Sequence, residues 1–354
     1  MRAFRFVTVD VFTDRRFGGN QLAVFPDARG LSDAEMQSLA AEFNLSETTF
    51  VLPPDNPQNS ARVRIFNRVA EMAFAGHPNV GTAFVLGRED EESPRAYRFE
   101  EPAGLVEVTL LRDGAGRVQG AEVAAPQPLR IGAELPVATA AACAGIPEGA
   151  VLTTRHAPTL AADGGNNRLL TEVTPEGLAA ATPDLGAFRR AVEAHAEQTR
   201  GFLSLYLYCR DGAAVRARMF SPLTGTWEDS ATGSAATPLA GFLLHLDGAA
   251  EGAWDITQGV EMGRPSLLLA NARRTPEGIR ARVGGHCVPV LRGEALPLQT
   301  TPPKGSALWN AATWRCLSKA GTKRRFPKAL RPLVGWPGGA KPLRSILPHP
   351  HAQA

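Results

Sequence analysis

Apolar and polar residues alternate from the first residues of the chain, with Val7, Val9 and Val11 set between Thr8 and Asp10, the two-residue period of a strand. After Gly18-Gly19-Asn20 a second apolar run, residues 22–25, predicts the return arm of a hairpin whose first arm spans residues 3–12. The period then lengthens. Met36, Leu39, Ala40 and Phe43 recur at helical spacing behind Ser32 and Glu35, a capping box, so a helix is predicted to about Phe43. Asn44-Leu45-Ser46-Glu47 leads into a β-rich run over 48–52, which puts Glu47 at a strand's start and beside a helix's end. Beyond a Pro- and Asn-rich turn at 53–60, residues 62–66 alternate again. Gly76-His77-Pro78 then opens into residues 80–87, whose apolar side chains with small spacers predict a buried helix.

The same order returns in the second half. A strand is predicted at 203–209, and Arg216-Ala217-Arg218-Met219-Phe220 repeats the pattern of residues 62–66. Gly233-Ser234-Ala235 follows thirteen residues after Phe220, as Gly81-Thr82-Ala83 follows fifteen residues after Phe66, and an apolar helix is predicted over 238–246. This is an internal repeat of about 150 residues. It implies two α/β halves of similar architecture, each a sheet around a mostly apolar helix, facing one another across a cleft where functional loops meet.

With 44% of its residues apolar and 21% charged, the chain can bury a sizeable core. Its formal charge of +3 hides an uneven split, because residues 1–299 hold 28 basic against 35 acidic residues and residues 300–354 carry ten Lys or Arg and no acid. An acidic body argues against a nucleic-acid-binding face. The last segment also holds eight prolines and three of the five tryptophans without a sustained period, which reads as a disordered or loosely attached tail. A shifted reading frame near the 3′ end produces the same composition. No window of eighteen apolar residues predicts a membrane span, and the N-terminus enters a strand pattern rather than a secretory signal, so a cytoplasmic, membrane-free protein is expected. Cys143, Cys209, Cys287 and Cys316 are scattered and form no metal or redox motif.

Three polar groups stand where one element gives way to another: Glu47, His77 and Asp229. Each has a plainer reading. Glu47 suits a solvated strand entry, His77 a structural turn, and Asp229 a helix cap or turn. The repeat weighs against this, since matched Gly-Thr-Ala and Gly-Ser-Ala triplets at two helix N-termini would offer backbone N–H groups to an anion while the three polar groups move a proton. Close helix packing is the alternative use of those triplets.

Three stretches, Asn44-Leu45-Ser46-Glu47-Thr48-Thr49-Phe50-Val51, Phe74-Ala75-Gly76-His77-Pro78 and Glu228-Asp229-Ser230-Ala231-Thr232-Gly233-Ser234-Ala235-Ala236, resemble the signatures of the PhzF-like phenazine-biosynthesis isomerases. Val11-Phe12-Thr13, Gly19-Asn20 and the run from Gln258 to Ser266 extend the likeness across residues 1–299. The resemblance implies a diaminopimelate-epimerase-like fold of two pseudo-symmetric domains, residues 1–124 with 283–299 and residues 125–282. It implies no metal, no organic cofactor and a homodimer. It gives Glu47 the role of proton shuttle on trans-2,3-dihydro-3-hydroxyanthranilate, with His77, Asp229 and Ser234 around the substrate. Gly76, Gly233 and Ser46 would contact a small-molecule carboxylate. An epimerase or isomerase of another amino or hydroxy acid, or a non-catalytic binding homologue, is the alternative. Neither turn carries a cysteine, so a racemase with one thiol on each face is not expected.

Overall fold

In a computed structural model the chain divides into two units, Met1–Leu298 and Gln299–Ala354. The structure describes residues 3–296 apart from Glu91, Gly165 and Asn166; the basic segment 300–354, and the expectation of a tail there, lies outside the described residues. The N-terminal alternation becomes β1 (Phe4–Val11), paired antiparallel with β2 (Asn20–Phe25) so that Val11 stands opposite Asn20. Asn20 therefore belongs to the ladder rather than to the turn. The capping box forms as expected at α1 (Asp33–Phe43), which returns the chain to β3 (Glu47–Leu52), parallel to β2.

From there β4 (Ala61–Phe66) and the two-residue β5 (Glu71–Met72) lead into α2 (Gly76–Glu89), followed by β6 (Ala96–Glu101), β7 (Gly104–Arg112) and β8 (Val118–Ala124). The order β1-β2-β3-β4-β6-β7-β8 is closed by the last strand of the chain, β17 (Gly278–Ala295), which pairs with both β8 and β1. Eight strands thus ring α2. A helix surrounded on every side must be apolar or small all round, which is why nearly every α2 residue is buried.

The second half repeats this plan. It comprises β9 (Arg130–Glu134), α3 (Val137–Ala144), β10 (Thr159–Ala162), β11 (Arg168–Glu172), α4 (Pro175–Ala180), α5 (Leu185–Ala194), α6 (Ala196–Thr199), β12 (Leu205–Asp211), β13 (Ala214–Ser221), β14 (Thr226–Asp229), α7 (Gly233–Asp247), β15 (Glu251–Gln258) and β16 (Ser266–Thr275). Here β11 and β12 are parallel, β12 and β13 antiparallel, and β13 is joined to its parallel neighbour β15 by way of α7, as β4 is joined to β6 by way of α2. The early part of β17 completes this sheet beside β16, and its later part completes the first barrel beside β1.

The repeat is real, but its register differs from the expectation. α2 begins at Gly76, so Gly76-His77 matches Gly233-Ser234, whereas Gly81-Thr82-Ala83 lies inside the helix, where its N–H groups are committed to helical bonds. Gly81 serves close packing: a Cβ there would lie 2.6 Å from Leu22 Cδ2 and 2.8 Å from Val11 Cγ2. α7 likewise starts five residues before the expected Pro238, which sits inside the helix. Among the described residues no helix is long and apolar enough to cross a membrane.

Candidate active site

The pseudo-symmetry brings the two central helices together by their N-termini. A Cβ added to Gly76 would stand 3.5 Å from Gly233 Cα, so glycine meets glycine where the halves touch. The first-turn N–H groups of Gly76, His77, Gly233 and Ser234 have no acceptor within their own helices, and both helix dipoles present their positive ends here. The gap, lined by Phe74, Gly76, Asp163, Gly233, Ser234 and Thr237, amounts to about 10 Å³. A cavity of about 610 Å³ lined by Phe12, Phe17, Pro265, Leu267 and His286 contains none of the expected site residues.

Glu47, His77 and Asp229 converge beside these helix ends. His77 Nε2 lies 3.3 Å from Glu47 Oε2, yet neither atom makes a hydrogen bond. Strand β3 is fixed to α2 by the contact of Thr49 Oγ1 with Thr82 Oγ1 at 2.8 Å, which holds Glu47 and His77 in one frame. Burial pushes the Glu47 carboxyl up to about 6, against the opposing pull of Ser46 and Arg68. The same burial drives His77 down to about 4, although Asp229 and a bond to the Gln21 backbone favour its charged form. Asp229 is raised by burial and by the charge of Glu47, and is restrained by Thr232, His77 and Arg168. The cluster thus holds a neutral imidazole beside a carboxyl group that gains and loses a proton near neutrality, as general acid–base work requires.

Asp229 does not cap α7. It ends β14, and the cap position belongs to Thr232, whose hydroxyl donates to Asp229 Oδ2 at 2.5 Å. The turn between them is held by Gln258, which donates to the Asp229 carbonyl (2.7 Å) and accepts from Tyr206 Oη (3.0 Å) and the Thr232 N–H (3.3 Å). Ser46, expected to contact substrate, donates to Asn20 Oδ1 at 3.2 Å.

Several participants were not singled out from the sequence. Asn20 donates to Asp229 Oδ1 and to the Ala231 carbonyl, crossing from one half to the other. Arg264 also crosses, reaching the carbonyls of Gly18 and Gly19 and buried Asp10 at 2.7 Å. Asp163 borders the gap between the helix ends, its carboxyl raised by burial to about 7. Arg168 donates to Ser234 Oγ at 2.9 Å. Asn20 and Arg264 fall within motifs noted above, but Asp163 and Arg168 have no local pattern that would mark them.

The family model of phenazine biosynthesis-like proteins, PhzC-PhzF, matches residues 9–293. The chain belongs to this family. A trans-2,3-dihydro-3-hydroxyanthranilate isomerase of Pseudomonas fluorescens is 38% identical over 299 residues, covering 81% of this chain and 98% of that protein. An uncharacterized isomerase of Mesorhizobium japonicum is 38% identical over 306 residues, covering 83% of this chain and 99% of the relative. Among solved structures, a phenazine biosynthesis protein of the PhzF family from Bacillus anthracis superposes with a TM-score of 0.74 at 22% identity, over 84% of this chain and all of that one. The PhzF family member described here has the diaminopimelate-epimerase-like fold and is an isomerase.

Proposed function

We propose that this isomerase moves a proton between two carbons of a small cyclic amino acid, trans-2,3-dihydro-3-hydroxyanthranilate, with Glu47 as the group that carries it. The observation that supports this most is the buried Glu47 carboxyl, 3.3 Å from neutral His77 and titrating near neutrality. The 38% identity to a protein named for that reaction supports the substrate.

In this reading the substrate carboxylate lies against the N–H groups of Gly76, His77, Gly233 and Ser234. Ionised Glu47 takes a proton from a ring carbon, and the electron pair left behind spreads into the conjugated ring. The same carboxyl then returns the proton to a second carbon, so one C–H bond breaks, another forms and Glu47 ends as it began. Buried and adjacent to an imidazole that stays neutral, the carboxyl is spared both full hydration and a competing cation, which keeps it basic enough for the first step. Asp229 and His77 hold hydrogen bonds to the substrate's polar substituents.

Turnover of trans-2,3-dihydro-3-hydroxyanthranilate by purified Glu47→Gln tests the role directly. The variant keeps the side chain's size, so a fall of roughly 10²- to 10⁴-fold with unchanged folding is expected. Turnover within a few-fold of the unaltered protein would overturn the assignment.

A further inference from the structure

Arg168 opens β11 and is 8% exposed. Its Nη1 donates to Ser204 Oγ at 2.8 Å and its Nη2 to Ser234 Oγ at 2.9 Å, while its buried Nε has no partner. No carboxylate among the described residues forms an ion pair with it. Asp229 and Asp163 attract it only from farther away, and burial still lowers the guanidinium to about 10. A buried cation held by two hydroxyls is an expensive arrangement that proteins normally complete with an anion.

Ser234 is where that anion fits. A hydroxyl has one hydrogen to give, and with Arg168 occupying a lone pair, the Ser234 O–H is directed away from the guanidinium. Ser234 is also the second residue of α7, so the dipole of that helix adds positive potential at the same spot. Of the nearby acids, Asp229 is tied by Asn20 and Thr232, and Asp163 borders the cavity beside Thr237.

We propose that Arg168 is a positioning residue that fixes Ser234 as a hydrogen-bond donor and, through it, makes the site demand a carboxylate at the end of α7 rather than an uncharged group. The proposal rests on the reading that a ligand carboxylate lies between the helix ends, and it names the residue that sets the charge requirement.

The test measures binding of two acid–amide pairs, 3-hydroxyanthranilate with its amide and benzoate with benzamide, to the full chain and to Arg168→Gln, Arg168→Lys and Ser234→Ala. In Arg168→Gln, acid binding should weaken by roughly 10- to 100-fold, the loss of a charge-assisted hydrogen bond, while amide binding stays within about twofold. Arg168→Lys should recover part of the loss. KM should rise more than kcat falls, and adding Arg168→Gln to Ser234→Ala should cost little more than either alone. Equal weakening of acid and amide, or acid binding at the unaltered level, would overturn the proposal. If Arg168→Gln does not fold, Ser234→Ala decides, because an undiminished preference for acid over amide in that variant is also incompatible with the relay. Arg168-dependent binding of benzoate without binding of 3-hydroxyanthranilate would leave the proposal standing and remove the proposed substrate.

Discussion

Asn20 and Asp229 stand 209 positions apart in the chain and are joined by a hydrogen bond of 2.9 Å. Asn20 is the first residue of β2, whose neighbour Leu22 pairs with Glu47, and Asp229 ends the strand before α7. One carboxamide therefore links Asp229 of one half to Ser46, the residue before Glu47, in the other. It does so without adding charge to a site that already holds two acids.

That neutrality leads to a prediction. Asn20→Ala removes the donor to Asp229 Oδ1 and to the Ala231 carbonyl, and should cost about 1–3 kcal/mol of stability in urea denaturation. Asn20→Asp keeps the shape but places a third carboxyl beside Asp229 and Glu47. Its pH–rate profile should shift to higher pH, because a like charge opposes ionisation of Glu47, whereas the profile of Asn20→Ala should not. Identical profiles for the two variants would contradict the arrangement.

The raised Glu47 carboxyl sets the pH response with a definite sign. In the proposed role Glu47 must be ionised to act, so kcat/KM should climb as pH rises through about 6 and level off above it. Stability runs the other way. A carboxyl raised from 4.5 to about 6 by folding contributes stability that is fully present below 4.5 and is lost as pH rises through about 6. Glu47→Gln lacks that titration, while His77, lowered to about 4, is common to both proteins. Between about pH 5 and about pH 7.5 the unaltered protein should therefore lose on the order of 1–2 kcal/mol relative to Glu47→Gln. Parallel stability curves for the two would show that Glu47 titrates normally.

The glycine contact gives the third prediction. Neither Gly76 nor Gly233 has a positive φ, so only space limits what side chain could stand there. At Gly76 a Cβ finds ordinary contacts, 3.5 Å to Gly233 Cα and 3.9 Å to Ser234 N, and Gly76→Ala should keep its melting temperature and most of its activity. The extra methyls of Gly76→Val should hold the helix ends apart and misplace the site, lowering kcat/KM by roughly 10²-fold. Steady-state kinetics alongside thermal melts check this, and a fully active valine variant would mean that the helix ends need not meet.

Much of the first half was legible because its signals are local. The capping box of α1 and the β1–β2 hairpin each depend on residues a few positions apart. The helix starts were harder. Pro238 favours the first turn of a helix, yet the helix runs through it from Gly233, and Gly-Thr-Ala looked like a helix end because small residues serve close packing as well as anion binding. Glu47, His77, Asp229 and Ser234 were marked by their turns and signatures, and the fold brings Glu47, His77 and Asp229 together. Arg168 and Asp163 escaped because a polar residue in or beside a strand has no period of its own; only the folded positions of Ser234 and of the helix ends give them meaning.

Strand β17 is unbroken between the two barrels, and at Gly284-Gly285 it is pressed so closely by Ala121, Glu122, Phe12 and Leu267 that not even a methyl group fits. The halves are thus bound along a common spine while, at the helix ends, the space between them is about 10 Å³, far too small for a six-membered ring. On the proposed reading, a ring bound against the helix ends requires the halves to part about that spine, which would strain the Asn20–Asp229 bond that joins them. Turnover on that reading is bounded by how often the halves open as well as by proton transfer, so the shared strand bears on rate as much as on stability.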